Sequence, residues 1–387
     1  MRIIADFHVH SKFSRATSRE STFENLFKAC RLKGVDVGGT GDFTHPEWFS
    51  EIEAMLEEAE PGLFKLKAEW ERRAEATLPH ACQGRVRFIL VTEISNIYKK
   101  EGRTRKNHNL VFMPDIESAR RLNARLASIG NVSSDGRPIL GLDARDLLEI
   151  VLETSTDAFL VPAHIWTPWF SMLGSKSGFD SIGECFGDLS HHVFAAETGL
   201  SSDPAMNWRV SSLDSICLIS NSDAHSPGNI GREANLFEAD LSYSSLRDAL
   251  KTRDPVNFKG TIEFFPEQGK YHLDGHRCCG VCLEPKETKR LAGNCPACGK
   301  PVTVGVLSRV EELADRPEGE RPDAAPFYHS LIPLTDILSE ILQAGPKTAT
   351  VCCAHQTVLE RLGPELPVLL DHAPERIATS GVALLAE

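Results

Sequence analysis

The sequence predicts an α/β fold built around a parallel sheet. Short apolar segments alternate along residues 1–255 with stretches of helical periodicity, such as residues 23–33 and 144–153. Several of the apolar segments are followed at once by histidine or acidic side chains. Active sites in folds of this kind gather at the carboxyl ends of the strands, so we expect these side chains to converge.

The first and last of these segments, residues 3–7 and 216–219, lead into two pairs of polar residues with the same spacing. They are His8-Val9-His10 and Asp223-Ala224-His225. In an extended chain, residues i and i+2 point to the same side, so each pair can reach one cavity.

Three more segments bring residues of the same chemistry. Residues 86–91 lead to Glu93, residues 159–161 lead to His164, and His108 follows a basic stretch. Any one of these residues could be a capping or hydrogen-bonded loop group. The whole set, with most members just past the end of an apolar segment, indicates a catalytic metal site. Imidazoles mixed with carboxylates suit zinc, manganese or iron, whereas an all-carboxylate site favours magnesium more strongly.

Six short motifs carry a family resemblance. They are His8-Val9-His10-Ser11, Thr40-Gly41-Asp42, Thr92-Glu93-Ile94, Pro162-Ala163-His164, Ala196-Glu197 and Ser222-Asp223-Ala224-His225. Together they resemble the motifs of the PHP (polymerase and histidinol phosphatase) superfamily. The resemblance implies a distorted seven-stranded β/α barrel with two or three metals that hydrolyse phosphoesters.

The resemblance also implies which residues act. The implied metal ligands are His8, His10, Asp42, Glu93, His108, His164, Glu197, Asp223 and His225, and catalysis is assigned to Asp223, His225 and Glu93. Two departures leave the number of metals open. The family carries an acidic ligand soon after the first histidine pair, where this chain reads Ser14-Arg15-Ala16, and its Thr-Asp-His motif here reads Thr40-Gly41-Asp42.

A second feature lies near residue 280. Cys279 and Cys282 form one C-x2-C pair, and Cys295 and Cys298 form another after twelve intervening residues. Four thiolates with this spacing predict a closed tetrahedral zinc site. Disulfides and a redox-active C-x-x-C are the alternatives, and the neighbouring Cys278 leaves the first ligand ambiguous.

A PHP barrel followed by this module resembles the endonuclease Q family as far as about residue 316. That resemblance implies a DNA repair endonuclease that cuts on the 5′ side of deaminated bases (uracil, hypoxanthine, xanthine) and of abasic sites. It also implies DNA as the partner, structural Zn²⁺ in the module, Zn²⁺ in the barrel cluster, and Mg²⁺ or Mn²⁺ for catalysis. A further repair or replication partner is not readable.

Three regions are therefore expected: a catalytic barrel over residues 1–255, a zinc module over 256–315, and a linker with a small helical C-terminal region over 316–387. In the last region, residues 334–342 and 358–362 have helical patterns separated by Gly-Pro pairs. No apolar run approaches the roughly 18 residues that span a bilayer. The start resembles no signal peptide, and eleven cysteines then indicate a reducing cytoplasm, with the nucleoid as the expected place of action.

The net charge of −12 argues against a polyanionic partner, but the charge is unevenly distributed. Residues 85–106 hold seven basic and two acidic side chains, and residues 270–309 hold seven basic and three acidic ones. Phosphate contacts need local positive charge rather than a basic protein. Solvated surface runs are the alternative interpretation for either stretch.

Reading a damaged base requires aromatic surfaces as well, because the base must leave the stack. Trp166 and Trp169 follow His164 closely, and Tyr271 precedes the zinc module. We predict that one of the two tryptophans contacts nucleic acid, together with Tyr271, Arg103 and Lys106. Packing in the rim of the barrel is the alternative for each tryptophan.

Two other functions compete with a lesion-specific endonuclease. A PHP-type small-molecule phosphoesterase would leave the zinc module and the basic stretches unexplained. A non-catalytic nucleic-acid-binding protein would agree with Ser14-Arg15-Ala16, but it would not be expected to keep so many ligand-type residues.

Overall fold

The computed structural model describes residues 1–382 and 385–386. Within them the chain forms a mixed α/β fold of sixteen strands and fourteen α-helices. The strands are β1 (Arg2–Asp6), β2 (Val37–Gly39), β3 (Leu56–Glu60), β4 (Leu63–Leu66), β5 (Arg87–Ile89), β6 (Val91–Lys100), β7 (Arg103–Phe112), β8 (Ile139–Leu140), β9 (Phe159–Pro162), β10 (Ala195–Glu197), β11 (Cys217–Ile219), β12 (Ala234–Glu238), β13 (Phe258–Glu263), β14 (Asp274–His276), β15 (Val281–Leu283) and β16 (Phe327–Ser330).

The helices are α1 (Phe23–Lys33), α2 (Pro46–Met55), α3 (Ala68–Glu75), α4 (Ile116–Ile129), α5 (Ala144–Thr154), α6 (Ile182–Phe186), α7 (Pro204–Trp208), α8 (Tyr243–Thr252), α9 (Pro285–Arg290), α10 (Val306–Leu313), α11 (Leu334–Ile341), α12 (Ala349–Leu362), α13 (Glu365–Asp371) and α14 (Pro374–Ile377). The predicted helix over 23–33 is confirmed as α1, and the one over 144–153 as α5. Helix α12 begins nine residues before the pattern at 358–362 predicts. None of the helices in the described ranges is long and apolar enough to cross a membrane.

The strands lie in four sheets. An eight-stranded sheet has the order β16-β13-β12-β1-β2-β5-β4-β3, a four-stranded sheet has the order β8-β6-β7-β9, and β10-β11 and β14-β15 form two-stranded sheets. The pairs β1-β2, β2-β5 and β10-β11 are parallel, as the alternation of strands and helices predicts. The long antiparallel hairpin of β6 and β7, paired over ten residues on each strand, was not predicted.

A closed seven-stranded ladder is not formed among the described strands. Isolated backbone hydrogen bonds join neighbouring segments instead: Ile165 N donates to Glu197 O (3.0 Å), and Ala224 N to His8 O (3.1 Å). The ladder breaks where ligand-type residues leave the extended conformation, because His164 and Asp223 have φ of 30° and 45°. Such backbone cannot continue a strand.

The sheet that begins with β1 continues past the expected boundary at residue 255. Strand β13 pairs antiparallel with β12, and β16 pairs parallel with β13. Residues 258–263 and 327–330 therefore extend the sheet that residues 1–255 begin, and the β14-β15 hairpin with helices α9 and α10 lies between them in the chain. The division into three domains stays a prediction.

Helices α11, α12 and α13 pack around a small apolar core. It contains Leu334, Leu338, Val351, Val358, Leu362 and Val368. A buried ion pair ties this core to helix α1, because Lys33 Nζ lies 2.7 Å from Glu365 Oε2 and both side chains are less than a tenth exposed. Residues 383, 384 and 387 of the expected C-terminal region lie outside the described residues.

Replacing Glu365 with Gln tests this tie. The substitution leaves the buried ammonium of Lys33 without a compensating charge, so we expect a loss of about 3–5 kcal/mol in the free energy of unfolding, measured by urea denaturation. Asp371→Asn is the matched control, because Asp371 pairs with Arg2 in the open, where the side chains are 45% and 43% exposed. That change should cost less than about 1 kcal/mol.

The same pair gives a dependence on pH. Burial alone would raise the pKa of the Glu365 carboxyl, but Lys33 and His355 lower it to about 2, below the usual value of 4.5 for glutamate. The pair therefore stabilises fully above about pH 4.5, and its contribution is lost as the pH falls towards 2. Equal acid unfolding of wild type and Glu365→Gln would contradict this account.

Candidate metal centre

The first pair of histidines lies on an extended segment just past β1. Val9 forms a parallel bridge with Ala224, and hydrogen bonds on both sides of it hold the segment beside the Asp223 loop. His8 and His10 are buried, with ring centroids 5.2 Å apart. The i, i+2 spacing thus turns both imidazoles into one cavity.

The structure brings six of the predicted ligands together in two groups. His8, His10 and Asp223 form the first group, and Glu93, His108 and His164 form the second, each with ligand atoms within 4.8 Å of one another. In the first group, Asp223 Oδ1 lies 3.2 Å from His10 Nε2 and 3.5 Å from His8 Nε2. In the second, Glu93 Oε1 lies 2.7 Å from His108 Nδ1 and 3.1 Å from His164 Nε2.

Glu93 connects the two groups. Its second oxygen, Oε2, lies 3.3 Å from His10 Nε2 and 3.6 Å from His8 Nε2. One carboxylate therefore presents one oxygen to each group, which is the geometry of a bridging ligand between two cations.

Asp42 and Glu197, both predicted as metal ligands, occupy a different place. Asp42 accepts from His10 Nδ1 (3.0 Å) with one oxygen and from the Ser11 amide and hydroxyl (both 2.7 Å) with the other. Glu197 accepts from His8 Nδ1 (3.0 Å) and from the His164 amide (2.8 Å). Both carboxylates lie behind an imidazole and fix its orientation, so neither falls in the two groups above.

His225 lies at the mouth of the centre. Its Nδ1 donates to the carbonyl oxygen of Asp223 (2.9 Å), and its ring lies 4.5 Å from that of His10. The His225 and Asp223 side chains are 29% and 28% exposed, whereas those of His8 and Glu93 are 1% exposed. A substrate can therefore reach the centre on the side of Asp223 and His225.

Strained backbone holds several of these residues. Asp42, His164 and Asp223 all have φ between 30° and 45°, a region that residues other than glycine rarely adopt. Gly199 makes room for His164, because a Cβ at Gly199 would lie 2.5 Å from His164 Cβ. Strain of this kind gathers at functional sites, where the surroundings determine the geometry.

The electrostatics favour a cation. Burial alone would lower the pKa of His8, but the carboxylates of Glu197, Asp223 and Glu93 raise it well above its usual value. Burial lowers the pKa of His108 to about 4 despite Glu93 beside it. His8 Nε2 is buried and has no hydrogen-bond partner among the residues the structure describes. The carboxylates that favour a proton on His8 favour a metal cation in its place. Once that proton is displaced, a His8 that donates its Nδ1–H to Glu197 offers Nε2 as a ligand, so the residues present fit a divalent cation.

Arg137 was missed in the sequence. Its Nη1 donates to Glu93 Oε2 (2.9 Å), which places a guanidinium at the edge of the centre. Arg137 follows Asp135-Gly136 and precedes Pro138, a pattern that marks a turn but carries no sign of a site.

The cysteine module differs from prediction in one member. Cys279, Cys295 and Cys298 come together with His276, while Cys282 lies outside the group. Cys282 is exposed on β15 between Val281 and Leu283, which pack on the small core around Cys295. Side chains alternate along a strand, so Cys282 points the other way. His276 precedes Cys279 by the same spacing of three that the Cys pairs have, and this signal was available in the sequence.

The two predicted tryptophans have different environments. Trp166 is buried, and its Nε1 donates to Asn207 Oδ1 (2.7 Å), so it belongs to the core. Trp169 is 39% exposed, and its ring lies 6.3 Å from that of Tyr271. The prediction of a nucleic-acid contact therefore rests on Trp169.

A basic and aromatic surface surrounds Trp169. Phe170 lies 4.8 Å from the His108 ring, with Lys106 Nζ above it at 5.3 Å. Lys270 Nζ lies 5.1 Å above the Tyr271 ring. Arg103 is exposed at the start of β7. We call Trp169, Phe170 and Tyr271 the aromatic face; Phe170 lies against His108 of the metal centre, and Tyr271 precedes the cysteine module in the chain.

Comparison with known proteins supplies the family. No family model matches the chain. The uncharacterized protein YqxK of Bacillus subtilis is 31% identical over 391 residues, covering 97% of this chain and 91% of that protein. The uncharacterized protein MJ0043 of Methanocaldococcus jannaschii is 34% identical over 216 residues, and the chain spans only 26% of its length.

Two solved structures align along nearly the whole chain. The lesion-specific endonuclease PfuEndoQ from Pyrococcus furiosus has a TM-score of 0.84 and 31% identity, covering 98% of this chain and 88% of that one. Endonuclease Q in complex with a 27-mer duplex substrate with an abasic lesion gives the same TM-score and identity, covering 98% and 89%. At this identity and TM-score over nearly the whole of both chains, the chain belongs to the endonuclease Q family of nucleases.

Proposed function

We propose that the protein is a DNA repair endonuclease that hydrolyses the phosphodiester bond on the 5′ side of deaminated bases (uracil, hypoxanthine, xanthine) and of abasic sites. Its substrate is DNA, and its place of action is the cytoplasm, at the nucleoid. The observation that carries the proposal is the pair of ligand groups joined by Glu93, in a chain of the endonuclease Q family.

The proposed metal ligands are the six side chains of the two groups, with Zn²⁺, Mn²⁺ or Mg²⁺ as the cations. Bound there, such cations would lower the pKa of water and withdraw charge from the phosphate oxygens. Asp42 and Glu197 hold His10 and His8 in the orientation that turns each Nε2 towards the first ligand group. Asp223 and His225 form the exposed edge that meets the scissile phosphate.

The aromatic face supports a substrate that is a damaged base in DNA. A base held in a duplex must be extruded before it can be inspected, and aromatic surfaces receive it by stacking. Trp169 and Tyr271 would make this contact, and Lys106 and Lys270 bring positive charge near it for the DNA backbone. Arg103, exposed at the start of β7, would meet the backbone farther along the same strand. A phosphatase for small molecules would not need this surface.

A nicking assay tests the function. Labelled duplexes with a single uracil, hypoxanthine or abasic site should be cut once, immediately 5′ of the lesion, in Mg²⁺ or Mn²⁺, and EDTA should abolish the cut. Asp223→Asn should slow the cut by more than about 100-fold, because it removes an oxygen of the first ligand group, and Asp42→Asn by about 10–100-fold, as orienting partners of metal ligands do.

Asp371→Asn serves as the control, since Asp371 pairs with Arg2 outside the centre. Unchanged nicking by metal-replete Asp223→Asn would remove the site assignment. Hydrolysis of a small phosphomonoester with no cut in damaged DNA would favour a phosphatase instead.

We also propose a structural zinc in the cysteine module, held by His276, Cys279, Cys295 and Cys298. Metal analysis of protein dialysed against a weak chelator should then give one retained zinc per chain in wild type. His276→Ala and Cys279→Ser should lose it, whereas Cys282→Ser and Cys278→Ser should keep it. Loss of zinc from Cys282→Ser with retention in His276→Ala would restore the four-cysteine site.

The aromatic face gives a third test. Trp169→Ala should weaken binding to lesion-containing DNA by about 1–3 kcal/mol, the usual contribution of a stacked base, and Trp169→Phe should preserve most of it. Selectivity for uracil over cytosine should fall with the affinity. Trp70→Ala, which removes a partly exposed tryptophan of α3, is the control. Fluorescence anisotropy measures both quantities, and equal affinities for wild type and Trp169→Ala would count against the aromatic face.

A further inference from the structure

The mouth of the metal centre has three members. The side chains of Arg137, Asp223 and His225 are 23%, 28% and 29% exposed, whereas those of His10 and Glu93 are at most 1% exposed. These three side chains are therefore the parts of the centre most accessible to a phosphodiester from solvent. Only one of them carries a permanent positive charge.

We infer that Arg137 is a phosphate-contacting residue, whose guanidinium binds a non-bridging oxygen of the scissile phosphodiester. The inference rests on the proposed function and adds to it a residue outside the ligand groups. Arg137 Nη1 is 2.9 Å from Glu93 Oε2, so its guanidinium borders the space between the two groups.

The guanidinium has donors to spare. Of its three nitrogens, Nη1 alone makes a hydrogen bond to another described residue, the one to Glu93. Nε and Nη2 are left for a further acceptor on the exposed side. A guanidinium presents its N–H groups in a planar fork that matches two oxygens of a phosphate, which an ammonium cannot do.

The loop that carries Arg137 is pinned in place. Asp135 Oδ1 accepts from the amides of Arg15 (3.1 Å) and Arg137 (3.2 Å). The Gly136 amide donates to Phe13 O (3.0 Å), and a Cβ at Gly136 would lie 2.3 Å from Asp42 Oδ2. The loop is thus packed directly on the carboxylate that orients His10. Its backbone is held by these contacts and its guanidinium by Glu93, so Arg137 loses little conformational entropy when it binds a phosphate.

Two other arginines lie nearby, and neither has this geometry. Arg15 is 74% exposed and pairs with Asp135 rather than with a member of the centre. Arg232 donates both Nε and Nη2 to the carbonyl oxygen of Ser222 (2.9 and 2.7 Å), so its fork is already occupied. The phosphate contact is therefore assigned to Arg137 alone.

A purely supporting role for Arg137 makes different predictions. If its guanidinium only held Glu93 in position, removing it would change metal binding. Its effect on the affinity for DNA would then not depend on the charge of the scissile phosphate. If it contacts the phosphate, its effect depends on that charge and the metal content stays the same. The two roles therefore separate in a double-mutant cycle between the residue and the phosphate.

The experiment compares wild type, Arg137→Ala and Arg137→Lys on two lesion duplexes, one normal and one with a neutral methylphosphonate at the scissile position. Affinity is measured by anisotropy in EDTA, where no cleavage interferes. We expect the ratio of phosphate to methylphosphonate affinity to be at least about 10-fold larger in wild type than in Arg137→Ala, as for a hydrogen bond to a charged group. Arg137→Lys, which keeps the charge but not the fork, should fall between them.

Metal analysis should show the same metal content in wild type, Arg137→Ala and Arg137→Lys. The control variant is Arg125→Ala, which removes an arginine paired with Glu153 on the surface and should have the affinity ratio of wild type. Equal affinity ratios in wild type and Arg137→Ala would overturn the inference, and a lowered metal content alongside them would make Arg137 a positioning residue for Glu93. A wild type that shows the charge-dependent ratio but never nicks damaged DNA would overturn the proposed function and leave the phosphate contact standing.

Discussion

The carboxylate of Glu93 is the interaction on which the site depends. One oxygen lies against His108 and His164, the other against His8, His10 and Arg137. Burial would raise the pKa of this carboxyl, but His108 and Arg137 bring it well below its usual value. Glu93 is thus an anion with contacts at both of its oxygens, and the β6-β7 hairpin carries it together with His108 of the same ligand group.

A layer of hydrogen-bonded carboxylates behind the imidazoles completes the centre. Asp42 and Glu197 accept from the Nδ1 atoms of His10 and His8, and the backbone of the ligand-bearing loops is strained at Asp42, His164 and Asp223. Strain is retained only where the surrounding packing opposes relaxation. The Asp135–Pro138 turn packs on the same point, since Gly136 lies against Asp42 and Arg137 donates to Glu93.

The sequence identified the nine polar residues that gather here, and the structure separated their roles. Spacing shows that two side chains share a face, but not which atom of a carboxylate is already used. Asp42 was expected as a ligand because it stands at a family position, yet four hydrogen-bond donors occupy its two oxygens. Trp166 and Trp169 were equivalent by position, and only packing showed one to be buried and one exposed.

The sequence by itself determined the chemistry. It showed strands that end in histidine and acidic residues, helices between them, a separate cluster of cysteines, and the family to which these features belong. Those features follow from local periodicity and from the fixed spacing of neighbours on one strand. Tertiary structure decided that Glu93 joins two groups, that His276 replaces Cys282 beside the other cysteines, and that Arg137 stands at the mouth. Each of these depends either on a contact between segments distant in the chain or on the face of a strand that a side chain occupies after packing. No local sequence pattern encodes either one.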